Sequence, residues 1–218
     1  MIGASVRVLI AVLRLGSLSL LIAATGCEIV FPLTTPPPDA PPDAPPVTRR
    51  AFVTETQFTG GEIGGLVGAD AKCQVRAETA GLSGMYKAWL SDSTGSPATR
   101  FVQSTVPYVR LDRVVIANGW ADLTDGILNA PINKTDTGVQ GASDKLCVTN
   151  TTYVFANTAV DGTQQNGGFS CADWTSNAGM SAWGDSADAM VAWTVACSGG
   201  GTAPIFCGAK AALYCFEQ

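Results

Sequence analysis

Gly65-Leu-Val-Gly-Ala-Asp-Ala-Lys-Cys73 and its continuation, Ala80-Gly-Leu-Ser-Gly-Met-Tyr-Lys-Ala-Trp-Leu-Ser91, carry the clearest local signals in the chain. Between Ala69 and Ala80 the residues Ala69, Cys73, Ala77 and Ala80 share one face of a helix, while Lys72, Arg76 and Glu78 are polar. Gly81 can close that helix in a left-handed cap. Cys73 sits on the inward stripe, which suits a structural bond better than a reactive thiol. Tyr86 to Ser91 then alternates as a strand, with Tyr86, Ala88 and Leu90 on one face and Trp89 on the other.

Working outward, Ala51 to Thr56 is rich in β-formers and reads as a first strand, followed by a glycine loop at Gly60, Gly61, Gly64 and Gly65. Val106–Val115 and Ile205–Phe216 contain further strand-like runs. Much of the remainder is Gly, Ser, Thr, Asn and Asp. The pattern predicts one α+β domain over residues 51–218, with few helices and long irregular loops.

The first fifty residues differ in kind. Met1 to Arg14 is basic, Leu15 to Ala24 is almost wholly apolar, and the small residues Thr25 and Gly26 follow. That is the pattern of a secretory signal. Ten helical residues span roughly 15 Å, about half a bilayer core, which argues against a transmembrane helix. Ala24-Thr25-Gly26-Cys27 looks like a bacterial lipobox, with alanine where leucine is commoner, and predicts a signal over 1–26 and a lipidated Cys27. Eight of the twelve prolines lie between Pro32 and Pro46. Proline lacks an N–H and restrains its predecessor, so 27–50 is read as an extended linker. At about 3.1 Å per residue the proline stretch would reach roughly 45 Å.

The chain has seven cysteines and no histidine. Absent histidine excludes a Ser-His-Asp triad, a Cys-His dyad and any histidine metal ligand. With Cys27 acylated, six cysteines remain in an exported domain: Cys73, Cys147, Cys171, Cys197, Cys207 and Cys215. Three disulfides are expected, and counting alone leaves fifteen pairings open. Residues 51–218 hold nine Lys+Arg against fifteen Asp+Glu, a net charge of −6. Such a surface repels phosphate backbones, so no nucleic-acid partner is expected.

The opening block resembles the start of endostatin domains, the C-terminal domains of collagens. Cys171-Ala-Asp-Trp174 resembles that family's Cys-x-x-Trp, and Cys207-Gly-Ala-Lys-Ala-Ala-Leu-Tyr-Cys215-Phe-Glu its closing cysteine pair ahead of a final acid. Val106-Pro107-Tyr-Val, Trp120 and Val154 to Gly162 fit between them in order. The resemblance covers nearly all of 51–218 and is nearest to bacterial endostatin-like lipoprotein domains. It implies a C-type-lectin-like fold and the disulfides Cys73–Cys215 and Cys171–Cys207. Cys147 and Cys197 have no counterpart in that family and are the pair it leaves over.

Endostatin's zinc site is built largely from histidines and its heparin binding from arginine clusters, so neither activity carries over. Calcium-binding lectins use a Glu/Gln-Pro-Asn/Asp loop and a Trp-Asn-Asp; Trp193-Thr194-Val195 lacks those ligands. The remaining candidates are two segments. Asn118–Asp125 places Asp122 and Asp125 beside Trp120: they could bind calcium through carboxylates or cap their own loop. Asn177–Asp188, which falls in the long loop where related folds bind ligands, carries Trp183, Asp185 and Asp188: Trp183 could stack on a sugar or serve as a satellite-core residue of a Gly/Ser-rich loop. No resident cofactor is expected, calcium apart. Asn133-Lys-Thr135 and Asn150-Thr-Thr152 match glycosylation acceptors, a pattern of little weight in a bacterial lipoprotein.

The expected function is non-enzymatic: a lipid-anchored, exported protein of the bacterial cell envelope, placed at the outer membrane, whose domain binds a glycan or an extracellular or envelope protein. The alternatives are an envelope-assembly domain without a soluble ligand, and a carboxylate hydrolase pairing Asp122 with Asp125 or Asp173.

Overall fold

The chain divides into two units, Met1–Ala44 and Pro45–Gln218. In the computed structural model the described residues are 47–140, 153–165, 169–196 and 204–218, all in the second unit. Cys27, Cys147, Cys197 and the Asn150 acceptor lie outside them, as does the whole signal and proline stretch. In chain order the elements are β1 (Arg49–Val53), α1 (Gly60–Ile63), α2 (Gly65–Thr79), β2 (Tyr86–Ala88), α3 (Pro97–Arg100), β3 (Tyr108–Val109), β4 (Val115–Ala117) and α4 (Trp120–Leu123). There follow β5 (Tyr153–Phe155), α5 (Cys171–Trp174), β6 (Met180–Ser181), β7 (Trp183–Asp185), a 3₁₀ turn (Val191–Trp193), β8 (Ile205–Phe206) and β9 (Tyr214–Glu217). The architecture is mixed α and β, with one long helix and short strands.

The main sheet runs β2-β9-β1-β3-β4, with β1 and β3 parallel and the other neighbours antiparallel. Because side chains alternate across a strand, its central strands feed two separate cores. Phe52, Tyr86, Ala88, Leu90, Leu213 and Cys215 face α2, packing with Leu66, Ala69, Cys73 and Ala77. Ala51, Val53, Trp89, Tyr214 and Phe216 face the other way, into an aromatic layer with Phe101, Tyr108 and Trp193. Trp89 is the hub of that layer, with ring centroids 4.9 Å from Trp193, 5.7 Å from Phe216 and 5.9 Å from Phe101. Each such pair adds about 1 kcal/mol beyond area burial.

Several elements differ from their sequence expectations in extent: the first strand is Arg49–Val53 rather than Ala51–Thr56, and the second stops at Ala88 rather than Ser91. The helix begins at Gly65, four residues before the predicted start, and ends at Thr79. Its C-terminus is a Schellman motif: Leu82 N–H bonds the Ala77 carbonyl at 2.9 Å and Gly81 N–H that of Glu78 at 3.0 Å, with Gly81 at φ 69°. The strand-like runs within Val106–Val115 are the two arms of a tight hairpin, because Arg113 at φ 67° turns the chain between β3 and β4. The turn is held by the Arg110–Asp112 ion pair at 2.8 Å.

Covalent and ionic ties close the fold. Cys73 is bonded to Cys215, joining α2 to β9, and Cys171 to Cys207. These are the two pairings the resemblance implies. Beside the first, Arg50 makes a two-pronged contact to Glu217, with both N–O distances 2.9 Å. Burial pushes the Glu217 carboxyl up, but the hydrogen bonds from Arg50 outweigh it and hold the group below its ordinary range.

Candidate functional site

Of the five tryptophans, Trp89, Trp174 and Trp193 are fully buried, Trp183 nearly so, and Trp120 is partly exposed. Trp120 opens α4 directly after β4. Its backbone N–H bonds the Ser104 carbonyl at 2.7 Å, which ties α4 to the loop that follows α3. Its ring lies on the rim of the aromatic layer, 6.0 Å from Trp89 and 6.2 Å from Phe101. The loop at Gly162 lies against the edge of the indole. Gly162 has φ 80°, and a Cβ there would stand 3.1 Å from the indole edge, so both the turn and the close approach require glycine.

In front of the ring is a groove of about 450 Å³ lined by Gln103, Ser104, Thr105, Asn118, Trp120 and Asp122. Asp122 is fixed through one oxygen: Oδ2 accepts from Asn118 N–H at 2.6 Å, Asn118 Nδ2 at 2.9 Å and Asn129 Nδ2 at 3.1 Å. Its Oδ1 takes no bond from the described residues. A carboxylate held rigid on one side and open on the other is a pre-organised acceptor. An aromatic wall with a few placed polar groups is the usual make-up of a ligand cleft. Asp125 is not part of it: its Oδ1 caps the local turn by accepting Ile127 N–H at 3.0 Å.

The second segment is placed differently from its expected loop. Met180–Ser181 and Trp183–Asp185 are strands, and Trp183 is 6% exposed, standing edge-on to Tyr153 at 4.6 Å. β7 pairs with β5, Val154 opposite Gly184. Asp185, 2% exposed, accepts Ala187 N–H at 2.9 Å through Oδ1 and finds no partner for Oδ2 among the described residues. Burial raises its carboxyl above the ordinary value; the Ala187 bond opposes that and the charge of Asp188 adds to it. Asp188 caps the next turn by accepting Met190 N–H at 2.6 Å. The structure therefore keeps Trp120 and Asp122 at an accessible groove and takes Trp183 and Asp185 into packed interior.

Asp173 sits in α5, whose four residues wind left-handed with φ of 53°, 51°, 53° and 63°. Its carboxylate accepts from Ser93 Oγ at 2.6 Å, Ser93 N–H at 3.1 Å and Ser170 Oγ at 3.1 Å. The Ser93 hydroxyl, first among these, holds it below the ordinary carboxylate range, the opposite of what a general acid needs. Asn133 is 8% exposed and its Oδ1 accepts from Arg110 at 2.6 Å. Among the described residues no three acidic or thiol side chains come together as a metal-ligand group, and no helix is long and apolar enough to cross a membrane.

Gln103, Ser104 and Thr105 were not singled out in the sequence. They have no local pattern to announce them, since tertiary contacts such as the Ser104–Trp120 hydrogen bond bring their loop to the groove. No protein-family model and no curated protein matches the chain.

Proposed function

We propose that this chain is a lipid-tethered, non-enzymatic binding module of the bacterial cell envelope, acylated at Cys27, with an endostatin-like, C-type-lectin-like domain whose ligand occupies the groove beside Trp120. The ligand class is a glycan or an extracellular protein. The observation that carries this reading is the groove itself: a tryptophan with Gly162 packed against its edge, beside a carboxylate with one oxygen saturated and one open. The lipobox and proline stretch support the tether, and the disulfides Cys73–Cys215 and Cys171–Cys207 support the domain family. The engagement of the Asp173 carboxylate by Ser93 and Ser170 and the turn-capping by Asp125 favour binding over hydrolysis.

Glycan and extracellular-protein arrays probed with the full-length, detergent-solubilised protein test this. At least one class of ligand is expected to bind, and Trp120→Ala to weaken it by roughly tenfold or more, as removal of a central aromatic anchor does. Silence across both arrays, or binding indifferent to Trp120→Ala, would refute the proposal.

A further inference from the structure

The groove beside Trp120 offers acceptors, while the groups that donate around it are engaged within the protein. Asn118 gives both its backbone N–H and its Nδ2 to Asp122 Oδ2, at 2.6 Å and 2.9 Å. Ser104 Oγ donates to the Val106 carbonyl at 2.9 Å and accepts Val106 N–H at 3.1 Å. Gln103 Nε2 donates to the Ala98 carbonyl at 3.3 Å. Asp122 Oδ1 and the side-chain carbonyls of Asn118 and Gln103 are left facing outward from the lining as acceptors without a partner among the described residues.

The same groove has no counter-ion. None of the residues that line it is basic. All three hydrogen bonds on Asp122 come from neutral amides, and none of the ion pairs among the described residues includes it. A carboxylate left without a cation, in a domain whose net charge over 51–218 is −6 by nine basic and fifteen acidic residues, attracts a positively charged partner. The indole beside it favours the same sign, since an aromatic face draws a cation. Which cation fits follows from which oxygen is open. A guanidinium pairs best through two parallel bonds to both carboxylate oxygens, and Oδ2 here already takes three donors. An ammonium is a compact point donor and needs only Oδ1.

We propose that the Trp120 groove takes a lysine side chain of a partner protein, with its methylenes against the indole and its ammonium on Asp122 Oδ1. The proposal rests on the reading of this groove as the ligand site and narrows the ligand to a protein. A lysine carries an apolar stem behind a head that only donates, which suits an aromatic wall ending in acceptors. An amino sugar brings the same ammonium on a ring of hydroxyls, each of which both donates and accepts, and the donors such a ring needs are already engaged. An exposed ion pair contributes little by itself and is screened by salt, so the contact is weak, salt-sensitive and one anchor of a larger interface.

The test titrates full-length, detergent-solubilised protein labelled with ¹⁵N-tryptophan against a capped Ser-Ala-Lys-Ala-Ser peptide, following the indole N–H of Trp120. The same peptide with arginine or Nε-acetyl-lysine in place of lysine, and free glucosamine, are the comparisons. The lysine peptide is expected to shift the Trp120 signal saturably, the arginine peptide and glucosamine to bind more weakly, and the acetyl-lysine peptide to leave the signal in place. Asp122→Asn keeps an oxygen for the three amides and turns an N–H towards the groove. It should weaken lysine binding by about fivefold or more and remove its salt dependence, with unmoved signals from the buried Trp89, Trp174 and Trp193 showing that the variant is folded. Equal binding of lysine and acetyl-lysine peptides, no saturable shift with the lysine peptide, or lysine binding indifferent to Asp122→Asn would overturn the proposal. So would tighter binding of the arginine peptide or of glucosamine, the latter assigning the groove to an amino sugar. An array ligand that needs Trp120 but tolerates Asp122→Asn sinks this proposal and leaves the groove as the ligand site, whereas array binding indifferent to Trp120→Ala removes the groove itself.

Discussion

Asp185 is the residue whose surroundings most contradict its chemistry. It ends β7 almost fully buried, one oxygen bonded to Ala187 N–H and the other without a partner among the described residues. An uncompensated carboxylate in the interior is costly, and the group responds by holding its proton more tightly. A carboxyl raised on folding stabilises the native state below its unfolded pKa and loses that contribution as pH rises through the folded value. Asp185→Asn keeps the shape, keeps an acceptor for Ala187 and removes the ionisation. Urea midpoints between pH 4 and pH 8 should therefore be higher for the variant at the alkaline end, with a smaller fall as pH rises. A variant that is less stable than wild type at pH 8 would mean that the charge is compensated. At this scale the sequence is equivocal. Trp120 and Trp183 both stand among Gly, Asn and Asp residues; a neighbour thirty residues or more away, Tyr153 for one and Gly162 for the other, decides which of them is open.

Among the elements, α5 carries the most backbone strain. Four consecutive non-glycine residues in the left-handed region cost about 1–2 kcal/mol each relative to right-handed helix. The turn persists because tertiary bonds over-determine it. Cys171 is bonded to Cys207, Trp174 Nε1 donates to the Ser91 carbonyl at 3.0 Å, and the Asp173 carboxylate holds Ser93. Ala172 is the exposed member, so Ala172→Gly removes a Cβ penalty without removing a contact. It should raise stability by about 1 kcal/mol. Ala71→Gly, also exposed but in regular α2, should lower it by about the same amount. Thermal unfolding of the two variants measures both, and a loss in each would show that α5 is not left-handed in solution. Elements also differ in legibility. Periodicity and a terminal glycine were enough for α2 and its cap, and alternation for the two faces around Trp89. The Cys171–Trp174 turn and the β5–β7 pair were not legible, because non-local bonds create them and propensity plays little part.

For the molecule as a whole, the sheet is a partition. One side joins it to α2 and the Cys73–Cys215 bridge; the other stacks aromatics outward until Trp120 forms their edge. The α+β class could be read from strand and helix signals, and the two described disulfides from a resemblance. The groove could not, since it exists only where the loop after α3 meets α4. The proposed ligand site is that edge. The most direct test is the indole N–H spectrum of full-length protein labelled with ¹⁵N-tryptophan, titrated with an array-selected ligand. Five tryptophans give five indole signals. The Trp120 signal, identified by its loss in Trp120→Phe, is expected to shift on saturation while those of Trp174 and Trp183 stay in place. A shift centred on Trp183 with Trp120 unmoved would contradict it.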